Sequence, residues 1–197
     1  ERAIQEGLAR QREFEIKLQE HGKKLLDELI DNPDAIGVVL LSRSYNAQDS
    51  GANLGITEEL RKLGVIPIPL DYLPLDNVDI SDITDRPYWH YEHKILAATK
   101  FIAQNPQLFG LFLSNFGCGP NSFIQNVVED IMGSKPLGQL EIDAHAAEAG
   151  IITRLEALVD TLRGYLKAGF SQDLDPKRYA RRAPSGIGLG KSILLPY

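Results

Sequence analysis

A short, unbroken apolar run, Ala35–Leu41 (AIGVVLL), constrains the fold more than any other feature of the chain. It is too short for a helix that buries one face, and it lacks the alternation of a half-wet strand. That leaves a strand covered on both faces. Further strand-like runs follow at Val65–Leu70, Leu108–Ser114 and Leu137–Asp143. Helical patterns separate them: residues 56–63, closed by Gly64; Trp89–Gln104, with Ile95, Ala98, Phe101 and Ile102 inward; a helix from about Pro120 to Met132, closed by Gly133; and about Ala147–Lys167. Ser42–Gly55 is polar and built for turns, and Leu73–Tyr88 is an irregular connection.

Strands alternating with helices predict an α/β fold: a flavodoxin- or Rossmann-like parallel sheet of about four strands, with helices on both faces. Pro67 and Pro69 cannot complete a ladder on two sides, so Val65–Leu70 belongs at an edge and the expected strand order is 2-1-3-4. Ligands of such sheets sit beyond the carboxyl ends of the strands, where the order reverses. Here that point lies between the first and third strands, where Ser42–Gly55 meets Asn115–Ser122. A long amphipathic helix over residues 2–30 precedes the sheet and ends at Asn32-Pro33-Asp34. Phe14, Leu18, Leu25 and Leu29 share one of its faces, which is expected to pack on the sheet or on the last long helix. The division is then 1–34 for the N-terminal helix, 35–168 for the α/β domain, and 169–197 for a tail with Ile193–Pro196 as a candidate extra strand.

The formal charge of −6 disfavours a phosphate backbone as partner, so nucleic acid is not expected. No apolar run approaches the length of a membrane span, and no membrane association is expected. The single cysteine excludes an internal disulfide and fits a reducing, cytoplasmic compartment. Glu1 starts partway into a helical pattern, so the chain is expected to be a domain of a larger protein.

Cys118 is the first candidate for chemistry. It lies in Gly117-Cys118-Gly119-Pro120, between a buried strand and a helix, where the positive helix end favours a thiolate. The flanking glycines let a ligand, a cluster or another backbone come close. A small residue filling a tight turn is the plainer alternative. Arg43, Tyr45 and Asn46, with Asn115, Gly117 and Gly119 opposite, are candidates to hold a phosphate, a carboxylate or a cofactor; a turn held by its own side chains is the other reading. Glu141, Asp143 and His145 alternate at the end of the fourth strand and can bind a metal or move a proton, or can simply be a wet strand end. His90 and His93 share a helical face but lack a third ligand nearby. The stretch Gly186–Ser192 imitates a phosphate-binding loop but lacks its first glycine and its strand–helix context.

Ser42-Arg43-Ser44-Tyr45-Asn46, Ser114-Asn115-Phe116-Gly117-Cys118-Gly119-Pro120-Asn121-Ser122-Phe123 and Leu140-Glu141-Ile142-Asp143-Ala144-His145 resemble the acyl-CoA dehydratase activase-related proteins. These are large bacterial proteins allied to the activator and the iron–sulfur component of 2-hydroxyacyl-CoA dehydratases. The resemblance spans about residues 36–165. It implies that Cys118 is one ligand of a [4Fe–4S] cluster in the full-length protein, serving ATP-driven electron transfer. One thiolate cannot close such a cluster, so none is expected in this chain alone. The implied partners are other domains of the same protein, or an acyl-CoA dehydratase or activator. The activator's ATPase segments are not recognisable here. A non-catalytic module that binds a small anion, or serves as a scaffold, is the alternative.

Overall fold

The structure is a computed structural model and describes residues 1–84, 87–143 and 148–169. Its centre is a parallel sheet of β1 (Gly37–Leu41), β2 (Ile66–Pro69), β3 (Leu108–Asn115) and β4 (Leu137–Ile142), in the order β2-β1-β3-β4. Around it stand α1 (Arg2–Asp31), α2 (Ser44–Gln48), α3 (Ile56–Lys62), α4 (His90–Gln104), α5 (Gly119–Met132) and α6 (Glu148–Ala168). The expected strand order holds. Ile68 pairs only with Val39, so the proline-bearing strand has one open edge, where a missing N–H costs nothing.

The two faces of the sheet bury separate clusters, as strand alternation requires. Val39 and Leu41 of β1, with Leu108 and Phe112 of β3, lie under α4, α5 and the carboxyl half of α1. Val38 and Leu40, with Phe109, Leu111 and Leu113, lie under α2, α3 and α6. Both central strands are apolar throughout because neither has a wet face. The edge strand β4 alternates instead: Gly138, Leu140 and Ile142 are buried, while Gln139 and Glu141 are exposed.

Two placements differ from expectation. Ser42–Gly55 is not only turns: it contains α2, which buries Asn46 and Ala47. The α1 face packs from Leu18 onward but not at Phe14, which stays 50% exposed. Of the two expected partners of α1, the structure has the sheet and not α6: the helix packs on the β2 edge and on the adjoining 3₁₀ turn Leu70–Tyr72. Gly22 fixes this contact: a Cβ there would stand 1.8 Å from the Tyr72 carbonyl oxygen, so only a bare backbone lets the helix approach so closely. Leu29 then reaches the core, where burying such a side chain stabilises by roughly 1.5–3 kcal/mol.

The connection after β2 is irregular as expected, yet it buries Leu73, Leu75 and Ile80 against the outer side of α4. Lys100 Nζ ties it down, donating to the Asp79 carbonyl and to Asp82 Oδ1 at 2.7 Å each. Covered on that side too, α4 is buried continuously from Ile95 to Thr99. His145, the Gly186–Ser192 stretch and the Ile193–Pro196 strand lie outside the described residues. Among the described residues no helix is long and apolar enough to cross a membrane.

Candidate functional site

The reversal point of the sheet falls between β1 and β3, and their following loops meet there. A direct hydrogen bond joins them: Asn46 Nδ2 donates to Asn115 Oδ1 at 2.6 Å. The strands deliver the two residues side by side because β1 and β3 run parallel in register, Leu41 beside Phe112. Arg43 starts α2 in an extended conformation, and its carbonyl accepts from the Asn46 N–H at 3.0 Å, which turns the Asn46 side chain inward. Asn46 is 0% exposed, and among the described residues its Oδ1 has no hydrogen-bond partner. A buried polar atom left without a partner is costly and calls for an explanation.

After Asn115 the chain turns through Gly117, whose φ of +75° suits glycine. The Cys118 N–H donates back to the Asn115 carbonyl at 3.0 Å and closes the turn. Cys118 is therefore the residue that precedes the first turn of α5, partly exposed, with Pro120 just inside the helix. Its side chain does not cap the helix. A Cβ built at Gly117 or Gly119 would meet nothing within 4 Å, so the loop stands in open space on both sides of the sulfur. Phe116 and Phe123 on this side, and Tyr45 on the facing loop, are exposed, and Trp89 stacks on Phe123 with ring centroids 6.2 Å apart.

The structure thus joins Asn46, on the loop of Arg43 and Tyr45, to Asn115, at the head of the loop of Gly117, Cys118 and Gly119; no other contact between the candidates of the two loops is seen among the described residues. Glu141 and Asp143 are exposed at the carboxyl end of β4, beside rather than inside the crevice. Among the described residues no group of three or more His, Cys, Asp and Glu is placed to hold a metal ion. His90 and His93 are exposed at the start of α4, where the Glu92 carboxylate accepts from the Tyr88 and Trp89 N–H groups at 2.8 and 3.3 Å. These are the features of a solvated helix start.

Two elements of the site were not nominated from the sequence. Asn121, 2% exposed, donates from Nδ2 to Ser114 Oγ at 3.1 Å and extends the polar floor under the loop. A polar residue in the first turn of an otherwise amphipathic helix, on its buried face, was the available signal. The second is a cleft of about 430 Å³ at the carboxyl ends of β1 and β2, between α1, α2, the 3₁₀ turn and α4. On its wall Lys94 Nζ meets Asp71 Oδ1 at 2.7 Å, and Gln11 and Glu15 stand where the apolar stripe of α1 is interrupted.

Comparison with known proteins agrees with part of the resemblance read from the sequence. Residues 1–73 match the family described as CoA enzyme activase uncharacterised domain (DUF2229). The match takes in α1, β1, the loop with Arg43, Tyr45 and Asn46, α3 and β2, and it stops before the Cys118 loop. No curated protein and no solved structure matches the chain. What stands is a parallel α/β fold whose first 73 residues are similar to a domain of CoA enzyme activases.

Proposed function

We propose that this chain is a domain of a protein related to 2-hydroxyacyl-CoA dehydratases and their activators. In this reading Cys118 supplies one thiolate to an iron–sulfur cluster that serves ATP-driven electron transfer in the cytoplasm. The remaining ligands come from other domains of the same protein, or from a dehydratase or activator subunit. The match over residues 1–73 supports the family link, and the position of Cys118 carries the rest. That residue is partly exposed at the head of α5, between two glycines with open space around them, where the strand order reverses. A structural cysteine needs none of these features.

The residues present do not themselves complete a cluster. The sequence has one cysteine, whereas a [4Fe–4S] cluster is held by about four thiolates. What this chain's residues do is local: they fix the loop by the Asn46–Asn115 and Cys118–Asn115 hydrogen bonds and leave Cys118 partly exposed at the head of α5. Iron and acid-labile sulfide, measured after anaerobic purification of the protein that carries this domain, test the reading. We expect both in the wild type, with the cluster lost or its electron paramagnetic resonance signal altered in Cys118→Ser. A wild type free of iron, or a Cys118→Ser variant with an unchanged cluster, would refute it.

A further inference from the structure

We propose that the cleft between α1, α2, the 3₁₀ turn and α4 is a docking site for a basic peptide segment, and that its occupant is the run of residues 177–182 of this same chain, which lies outside the described residues. The site needs no cluster and does not depend on Cys118. The first observation is where α1 loses its apolar face. Positions 4, 8, 11, 15, 18, 22, 25 and 29 alternate spacings of four and three, so they share one side of the helix. From Leu18 onward that side packs against the rest of the protein, with Gly22 and Leu29 buried. At 11 and 15 it carries Gln11 and Glu15 instead, and both line the cleft of about 430 Å³. A packed helix face would place apolar residues there. The polar pair suits a space that takes a polar occupant.

The second observation is the charge of the lining. It holds three carboxylates, Glu15, Asp71 and Asp76, against one lysine and no arginine. Lys94 Nζ is already engaged with Asp71 Oδ1 at 2.7 Å. Glu15 and Asp76 have amide partners: Gln11 Nε2 donates to Glu15 Oε1 at 3.0 Å, and Gln19 Nε2 donates to Asp76 Oδ2 at 3.3 Å. Among the described residues neither carboxylate has an ion-pair partner. Each amide steadies one oxygen and leaves the other open to a cation. Ring faces line the same space: Phe14 is 50% exposed, and the Tyr91 ring lies 5.5 Å from Lys94 Nζ. A guanidinium stacks on such a ring while its edge hydrogen-bonds a carboxylate, which favours arginine over lysine as the inserted side chain.

The occupant follows from the sequence. Residues 177–182 read Lys-Arg-Tyr-Ala-Arg-Arg, four cations and no carboxylate in a chain of net charge −6. No other stretch of six residues holds as many lysines and arginines. α6 ends at Ala168, and the chain from there to Arg182, fully extended, covers up to about 46 Å. That length is enough to bring the run from the α6 face of the sheet round to the cleft.

A synthetic peptide of residues 175–183, titrated calorimetrically into the whole chain, tests the docking. In a variant carrying Lys177→Gln, Arg178→Gln, Arg181→Gln and Arg182→Gln together, no run competes, and saturable binding that weakens with salt is expected. The wild type should bind the peptide about tenfold or more weakly, because its tethered run competes at a high effective concentration. Adding Glu15→Gln and Asp76→Asn to the neutralised chain should weaken binding about tenfold or more, the usual loss for hydrogen bonds to charged groups. Both positions are exposed, and thermal melts separate lost binding from lost fold. No saturable binding to the neutralised chain, or binding that survives Glu15→Gln with Asp76→Asn, overturns the proposal. Equal affinity of the wild type and the neutralised chain overturns the tethered occupant and leaves the cleft to a basic segment of another protein. A wild type that light scattering shows to dimerise through the run overturns it in favour of a second copy.

Discussion

Lys135 enters the core at the end of the sheet opposite Cys118, just ahead of β4. It is 5% exposed, and its Nζ donates to the Ile102 carbonyl at 2.7 Å and to the Asn105 carbonyl, both at the close of α4. The Phe109 ring lies 5.1 Å from the same nitrogen. Carbonyls and a ring face favour the ammonium, but burial outweighs them and pulls the pKa down from 10.5 to about 7. Between those values the unfolded chain holds a proton that the native protein has released. Stability therefore rises with pH across that window and levels off below it. Melting temperatures measured from pH 7 to about 9 should climb in the wild type, and Lys135→Met should flatten that climb; parallel profiles would show that the buried amine is not responsible. Nothing in the sequence announces this lysine. It stands in Gly133-Ser134-Lys135-Pro136, which reads as an ordinary polar turn. Asn46 was nominated for its place in a loop, but its complete burial depends on α2, and five residues are too few to show a helical period.

At the scale of elements, α1 separates what periodicity can and cannot say. The spacing of Leu18, Leu25 and Leu29 gives the buried face, and Asn32-Pro33 gives its end. The sheet was one of two expected partners, but the 3₁₀ turn was not legible, because it is met through one backbone contact, Gly22 on Tyr72, that leaves no repeating pattern. Two substitutions in the same helix test that contact. Gly7→Ala meets nothing within 4 Å and should stabilise by about 0.5–1 kcal/mol through helix propensity alone. Gly22→Ala gains the same propensity but drives a methyl group into the Tyr72 carbonyl, and should destabilise by about 1–3 kcal/mol on balance. Chemical denaturation of the pair reads the difference. If both stabilise, α1 does not rest on the 3₁₀ turn. The edge strand was more legible: Pro67 and Pro69 marked β2 because a ladder requires N–H groups.

For the whole molecule, the sheet and its reversal point followed from the sequence because uninterrupted apolar strands admit few parallel arrangements. The crevice followed with them, since strand order alone brings the loops after β1 and β3 together. The cleft beside Lys94 and Asp71 did not follow. Its lining comes from four separated segments, and no single stretch carries its signature. The proposed function rests on one placement above the others, that the fold leaves Cys118 partly exposed at the head of α5. As the single cysteine of the sequence, it reports on that placement without interference. Labelling with a maleimide reagent at neutral pH, followed by mass spectrometry before and after addition of denaturant, makes the test. One adduct per folded chain is expected, complete without denaturant. A thiol that stays unlabelled until the protein unfolds would contradict it and make Cys118 a packing residue.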